Sequence, residues 1–113
     1  MPYIHTQISK TLTDEAREAL TRDFGEAAEL IGKSEQWLML RFEDGCRMAF
    51  RGKSDGDCCF IGISMYGTPD REQLEALTER VTSRVAERTG VAPENIYIRY
   101  LPTDAWGWNG GNF

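Results

Sequence analysis

The 113-residue sequence is poor in the residues that hydrolytic and metal chemistry most often use, with one histidine and three cysteines. A lone His5 on an early strand segment allows no Ser-His-Asp arrangement. Cys46, Cys58 and Cys59 cannot all pair within one chain, and Cys58-Cys59 is not C-x-x-C spacing, so neither a disulfide framework nor a zinc site is expected. We read them as reduced packing residues. Positive charge is also short, 13 Lys and Arg against 18 Asp and Glu for a net −5, which gives a field that mildly repels phosphate backbones. No nucleic-acid partner is expected.

Long apolar runs are missing as well. Nothing approaches the ~20 residues of a membrane span, and no basic segment followed by an apolar run opens the chain. The expectation is a cytoplasmic protein without membrane contact, leaderless export being left open. No G-x-G-x-x-G or P-loop occurs, and the run Gly107-Trp108-Asn109-Gly110-Gly111 does not follow a strand that feeds a helix. No cofactor and no metal are expected.

What is present is an ordinary folding composition, 41% hydrophobic and 27% charged. The length predicts one domain over residues 1–113. So small a domain has little interior for an enclosed cavity, so a deep pocket needs help from another chain.

The hydrophobic pattern reads as two similar halves. Pro2 to Ile8 alternates as a strand, and Ala16, Leu20, Phe24, Ala27 or Ala28, and Ile31 form a helical stripe between Thr13-Asp14-Glu15 and Gly32. Trp37 to Phe42 reads as a strand. Beyond Glu43-Asp44-Gly45, Cys46 to Phe50 reads as a short strand, a candidate hairpin with the one before it. Cys58 to Tyr66, apolar on both parities, predicts a strand covered on both faces. A second helix starts at Pro69-Asp70 with Gln73, carries Leu74, Leu77, Val81 and Val85, and closes at Gly90. Asn95 to Leu101 alternates again, and Trp106-Gly107-Trp108 suggests one more short strand.

Overlaying the halves so that Gly32 falls on Gly90 places Leu38 on Ile96, Leu40 on Ile98, Arg41 on Arg99 and Phe42 on Tyr100. Each half is then a β-α-β unit with parallel strands. The predicted fold class is α+β, an α/β sandwich in which two pseudo-repeated β-α-β units form one mixed sheet with two helices on one face.

Five segments, Met1-Pro2-Tyr3-Ile4, Gly32-Lys33, Met48-Ala49-Phe50, Pro93 to Ile98, and Trp106 to Gly110, occur in order along the chain. Together they resemble macrophage migration inhibitory factor and its bacterial homologues in the tautomerase superfamily, over essentially the whole length. The resemblance implies that Pro2, freed by removal of Met1, is the catalytic base of a cofactor-free keto-enol tautomerase. A terminal amine titrates near pH 8, and apolar surroundings or a nearby lysine lower that value, so a proline can serve where no histidine does.

Other roles follow from the same resemblance. Lys33 would hold the carboxylate or developing enolate of a small, phenylpyruvate-like 2-oxo acid. Ser64 and Met65 fall on a Ser-Ile pair whose backbone contacts substrate, but the glycine that follows it in the family is Tyr66 here. Tyr97 matches a tyrosine supplied by a neighbouring subunit, and Arg99 replaces an asparagine two residues on, where its fork can clamp a carboxylate. Trp106 and Trp108, with Trp37 and Phe113, match positions around the pocket mouth. A homotrimer with intersubunit sites is implied. The alternatives are a cytokine-like binding protein with a vestigial pocket, and a decarboxylase or dehalogenase in which a cationic Pro2 acts as an acid.

Overall fold

A computed structural model describes residues 1–113, and its elements follow the two halves of the sequence. Strand β1 (Pro2–Ile8) leads to helix α1 (Asp14–Ala28) and back to strand β2 (Met39–Glu43). Strand β3 (Cys59–Tyr66), helix α2 (Arg71–Thr89) and strand β4 (Ile96–Thr103) repeat the plan, and a terminal hairpin of β5 (Gly107–Trp108) and β6 (Gly111–Asn112) follows. The sheet order is β2-β1-β3-β4. Each crossover makes its own strands parallel, β1 with β2 and β3 with β4, while β1 and β3 meet antiparallel at the centre.

Local chemistry fixes both helices. Thr13 caps α1 by accepting from the Ala16 N–H, and Asp70 with Gln73 forms a reciprocal capping box at the start of α2. Gly32 (φ 71°) ends the first helical segment, which closes with the 3-10 turn Glu29–Ile31, and Gly90 (φ 78°) ends the second. Both are left-handed positions that glycine takes without steric cost.

The alternation Pro2, Ile4, Thr6, Ile8 turns one side of β1 toward the helices, where each of these residues is buried. Phe24, Leu20, Leu77, Val81 and Val85 from the helices meet Ile61, Ile63 and Met65 from β3 in that layer. Asp23 on α1 accepts a two-pronged hydrogen bond from Arg88 on α2, at 2.8 and 3.2 Å, which ties the helices together. Its carboxylate raises the Arg88 pKa, first through the hydrogen bond and then through its charge. With Asp23 buried, loss of the arginine would leave an uncompensated charge inside the fold.

Two expectations need correction. Residues 46–50 form no strand, apart from an isolated bridge between Phe50 and Lys53. The Gly45 N–H donates to Lys10 and the Cys46 N–H to Ile8, so the chain crosses the end of β1 instead of folding back on β2. The second concerns cover on β3. Cys59, Ile61, Ile63 and Met65 lie under the helices, whereas Phe60, Ser64 and Tyr66 on the other side are only partly buried and no second layer covers them. The face they share also exposes Met39, Tyr97 and Leu101. No helix is long and apolar enough to cross a membrane.

Candidate active site

Pro2 opens β1 opposite Met65, and the parallel ladder with β2 begins only at Tyr3. Its missing N–H therefore removes no bond from that ladder. With Met1 in place the Pro2 nitrogen is an amide, and the Met1 carbonyl accepts a hydrogen bond from the Tyr66 N–H at 3.2 Å. The Tyr66 carbonyl in turn accepts from Lys33 Nζ at 2.8 Å. One residue at the end of β3 thus binds both the N-terminus and the lysine that follows α1.

This arrangement acts on the terminal amine. The pKa of the Met1 ammonium is lowered, first by partial burial and then by the Lys33 charge. Both effects disfavour a cation at this end of the sheet. An open cavity of ≈ 270 Å³ lies beside Lys33, bounded by Ile31, Tyr66 and the Gly67-Thr68-Pro69 turn.

The aromatic residues of the C-terminal segment reach the same end. Asn109 (φ 52°) and Gly110 (φ 79°) make the positive-φ turn that suits a two-residue hairpin. Trp108 then stands edge-on to Trp37 at 5.2 Å, and the Phe113 ring tilts against Tyr66 at 5.4 Å. The Trp106 carbonyl accepts the Phe113 N–H, and Trp106 itself is partly buried.

Not every expected site residue joins this group. The Met65 side chain is buried in the core, and Ser64 lies on the opposite face between Tyr3 and Leu101. Tyr97 and Arg99 share a face, as their spacing predicts, but it is the face away from the helices, beyond β3 from Pro2. Tyr97 packs edge-on to Phe50 at 5.1 Å, and the Arg99 guanidinium lies over Phe60 at 5.2 Å. Arg99 also sits 3.3 Å from where a Cβ on Gly62 would stand, so that glycine makes room for it. Within one chain neither residue is placed with Pro2. Sequence reasoning missed the double backbone role of Tyr66, although its place opposite the start of a central strand was a usable signal.

Two β-α-β units on one mixed sheet, with β1 and β3 antiparallel at its centre, match the fold of the tautomerase superfamily. The family model described as Macrophage migration inhibitory factor (MIF) matches residues 1–113, and the chain belongs to that family. It is similar to macrophage migration inhibitory factor of Meriones unguiculatus, 28% identical over 88 residues that make up 76% of each protein. Among solved structures, Leishmania major MIF2 superposes with a TM-score of 0.93 at 29% identity, covering 100% of this chain and 97% of the other. The macrophage migration inhibitory factor homologue of Prochlorococcus marinus gives 0.87 at 28% identity, with 98% of both chains covered.

Proposed function

We propose that the mature protein is a cofactor-free keto-enol tautomerase, an isomerase that uses Pro2 as general base on a small aromatic 2-oxo acid such as phenylpyruvate. The observation that carries this reading is that Tyr66 binds both the Met1 carbonyl, which is attached to the Pro2 nitrogen, and Lys33 Nζ, so that a lysine is anchored at the proline end of β1. A neutral amine takes the proton alpha to the ketone, and the electron pair moves onto the carbonyl oxygen. The same amine, now protonated, delivers the proton to that oxygen to complete the enol. Lys33 stabilises the negative charge that builds in between. A lysine charge close to the Pro2 nitrogen would favour this neutral base over the cationic acid that a decarboxylase or dehalogenase would need.

We assign Tyr97 and Arg99 to the pocket of a neighbouring copy in a cytoplasmic homotrimer, with Ser64, Trp106 and Trp108 around the substrate. The exposed sheet face and the free edges of β2 and β4 support an assembly of this kind. Sedimentation equilibrium is expected to return three times the 12.8 kDa mass of the chain. A monomer at micromolar concentration would remove Tyr97 and Arg99 from the site.

The test of the activity begins with mass spectrometry, to establish that the purified chain starts at Pro2. Such protein should tautomerise phenylpyruvate. If it is folded yet inert, the binding role replaces the enzymatic one. Lys33 is tested through pH. A positive charge beside a Pro2 amine would lower its pKa, so Lys33→Met should raise that pKa and move the acid limb of kcat/KM to higher pH, because the base must be neutral to act. An unmoved limb would mean that Lys33 does not set the base.

A further inference from the structure

Tyr66 ends β3, and its ring has a definite place. Tyr3 pairs with Met39 of β2, while Pro2 pairs with Met65 of β3. Residue 1, one step further out, therefore falls between the Trp37 approach to β2 and Tyr66 at the end of β3. The hydrogen bond from the Tyr66 N–H to the Met1 carbonyl marks the second of these flanks. Once Met1 has left, a substrate carbon brought to the Pro2 nitrogen occupies the same place, since the Met1 carbonyl carbon is bonded to that nitrogen.

Each flank carries an aromatic pair, Trp37 with Trp108 on one side and Tyr66 with Phe113 on the other. None of these rings is spent in the core. Trp37, Trp108 and Phe113 are 42%, 49% and 53% exposed, and Tyr66 is half-buried. A planar ring entering between two aromatic walls makes offset or edge contacts with both, whereas a branched alkyl group is thicker and has to spread them.

We propose that Tyr66, with Phe113 seated on it, is a specificity-determining residue that makes the second wall of this slot and selects planar aryl 2-oxo acids over branched aliphatic ones. The proposal rests on the tautomerase reading of the Pro2 site. A glycine here would keep the backbone contacts to residue 1 and Lys33 but leave that side of the slot open. Phe113 would keep its backbone bond to Trp106 and lose its ring partner.

The experiment compares kcat/KM for phenylpyruvate with that for 3-methyl-2-oxobutanoate, both followed as solvent deuterium exchange alpha to the ketone. Processed wild type and Tyr66→Phe should favour the aryl acid alike, and Tyr66→Gly should cut that preference about tenfold. Tyr66→Leu, which keeps apolar bulk without a ring, carries the same expectation and serves if the glycine variant does not fold. An unchanged ratio in a folded variant overturns the proposal. Calorimetric titration with phenylacetate and isobutyrate, which have no ketone to turn over, separates the two ideas. Aryl-selective binding that weakens in Tyr66→Gly, in a protein with no turnover, would uphold the wall and sink the tautomerase. Turnover that needs Pro2 but ignores Tyr66 in both assays would do the reverse.

Discussion

Pro2→Ala is expected to lower kcat/KM for phenylpyruvate by about 10²–10⁴-fold, the range that a positioned general base supplies. Alanine is also small enough to permit removal of Met1, so the variant still ends in a free amine and the comparison is between two bases. What changes is position. The proline ring fixes the nitrogen relative to β1, and Pro2 is buried against the sheet opposite Met65. An alanine amine can rotate, is better hydrated and spends less time aimed at a carbon held by Lys33 and the end of β3. Better hydration would also favour the protonated amine and raise its pKa, so the remaining activity should lie toward higher pH. Full activity in the Pro2→Ala variant, once mass spectrometry shows that Met1 has been removed from it, would dismiss Pro2 as the base.

The largest loss of stability is expected at Phe24→Ala, about 3–5 kcal/mol. Phe24 is fully buried, and its ring stacks on Phe42 of β2 at 6.2 Å with 18° between the planes. It joins α1 to the strand that α1 itself delivers. Nothing nearby can collapse into the hole cheaply, because Leu20, Ala27 and Ile31 belong to the same packed cluster. Against a typical domain stability of about 5–15 kcal/mol the loss is severe. Urea titration at fixed protein concentration should show a lower midpoint with an unchanged slope. A loss of unfolding free energy below about 1 kcal/mol would mean that this layer repacks.

Much of this was legible before any coordinates, for a physical reason. Helix caps and αL glycines are decided within a few residues, so Thr13, Asp70, Gly32 and Gly90 mark both helices from the sequence alone. The overlay of the halves then gives the crossovers and the parallel pairs. Cys46 to Phe50 misled because its alternation is real but pairing is not a local property. Two backbone bonds from Gly45 and Cys46 to the end of β1 decide where that segment goes, and they span more than thirty positions. The site divides in the same way. Pro2 and Lys33 are visible as residue types, whereas the anchoring of Lys33 on the Tyr66 carbonyl joins residues 33 positions apart and shows only once the end of β3 is set beside the start of β1. Asp23 with Arg88 is a further case, an ion pair between two helices that reads as ordinary surface charge in each stripe.

The central place of β1 in the sheet bears on the order of events during synthesis. Chain termini usually fray and stay open to peptidases, but β1 is a central strand, and the Met1 carbonyl accepts a hydrogen bond from the Tyr66 N–H of β3. An aminopeptidase needs an extended, unpaired end. On the tautomerase reading, removal of Met1 is therefore expected to be easier before β3 is in place than after it. On that reading, chains that fold with Met1 retained would carry an amide at Pro2 and lack the proposed base.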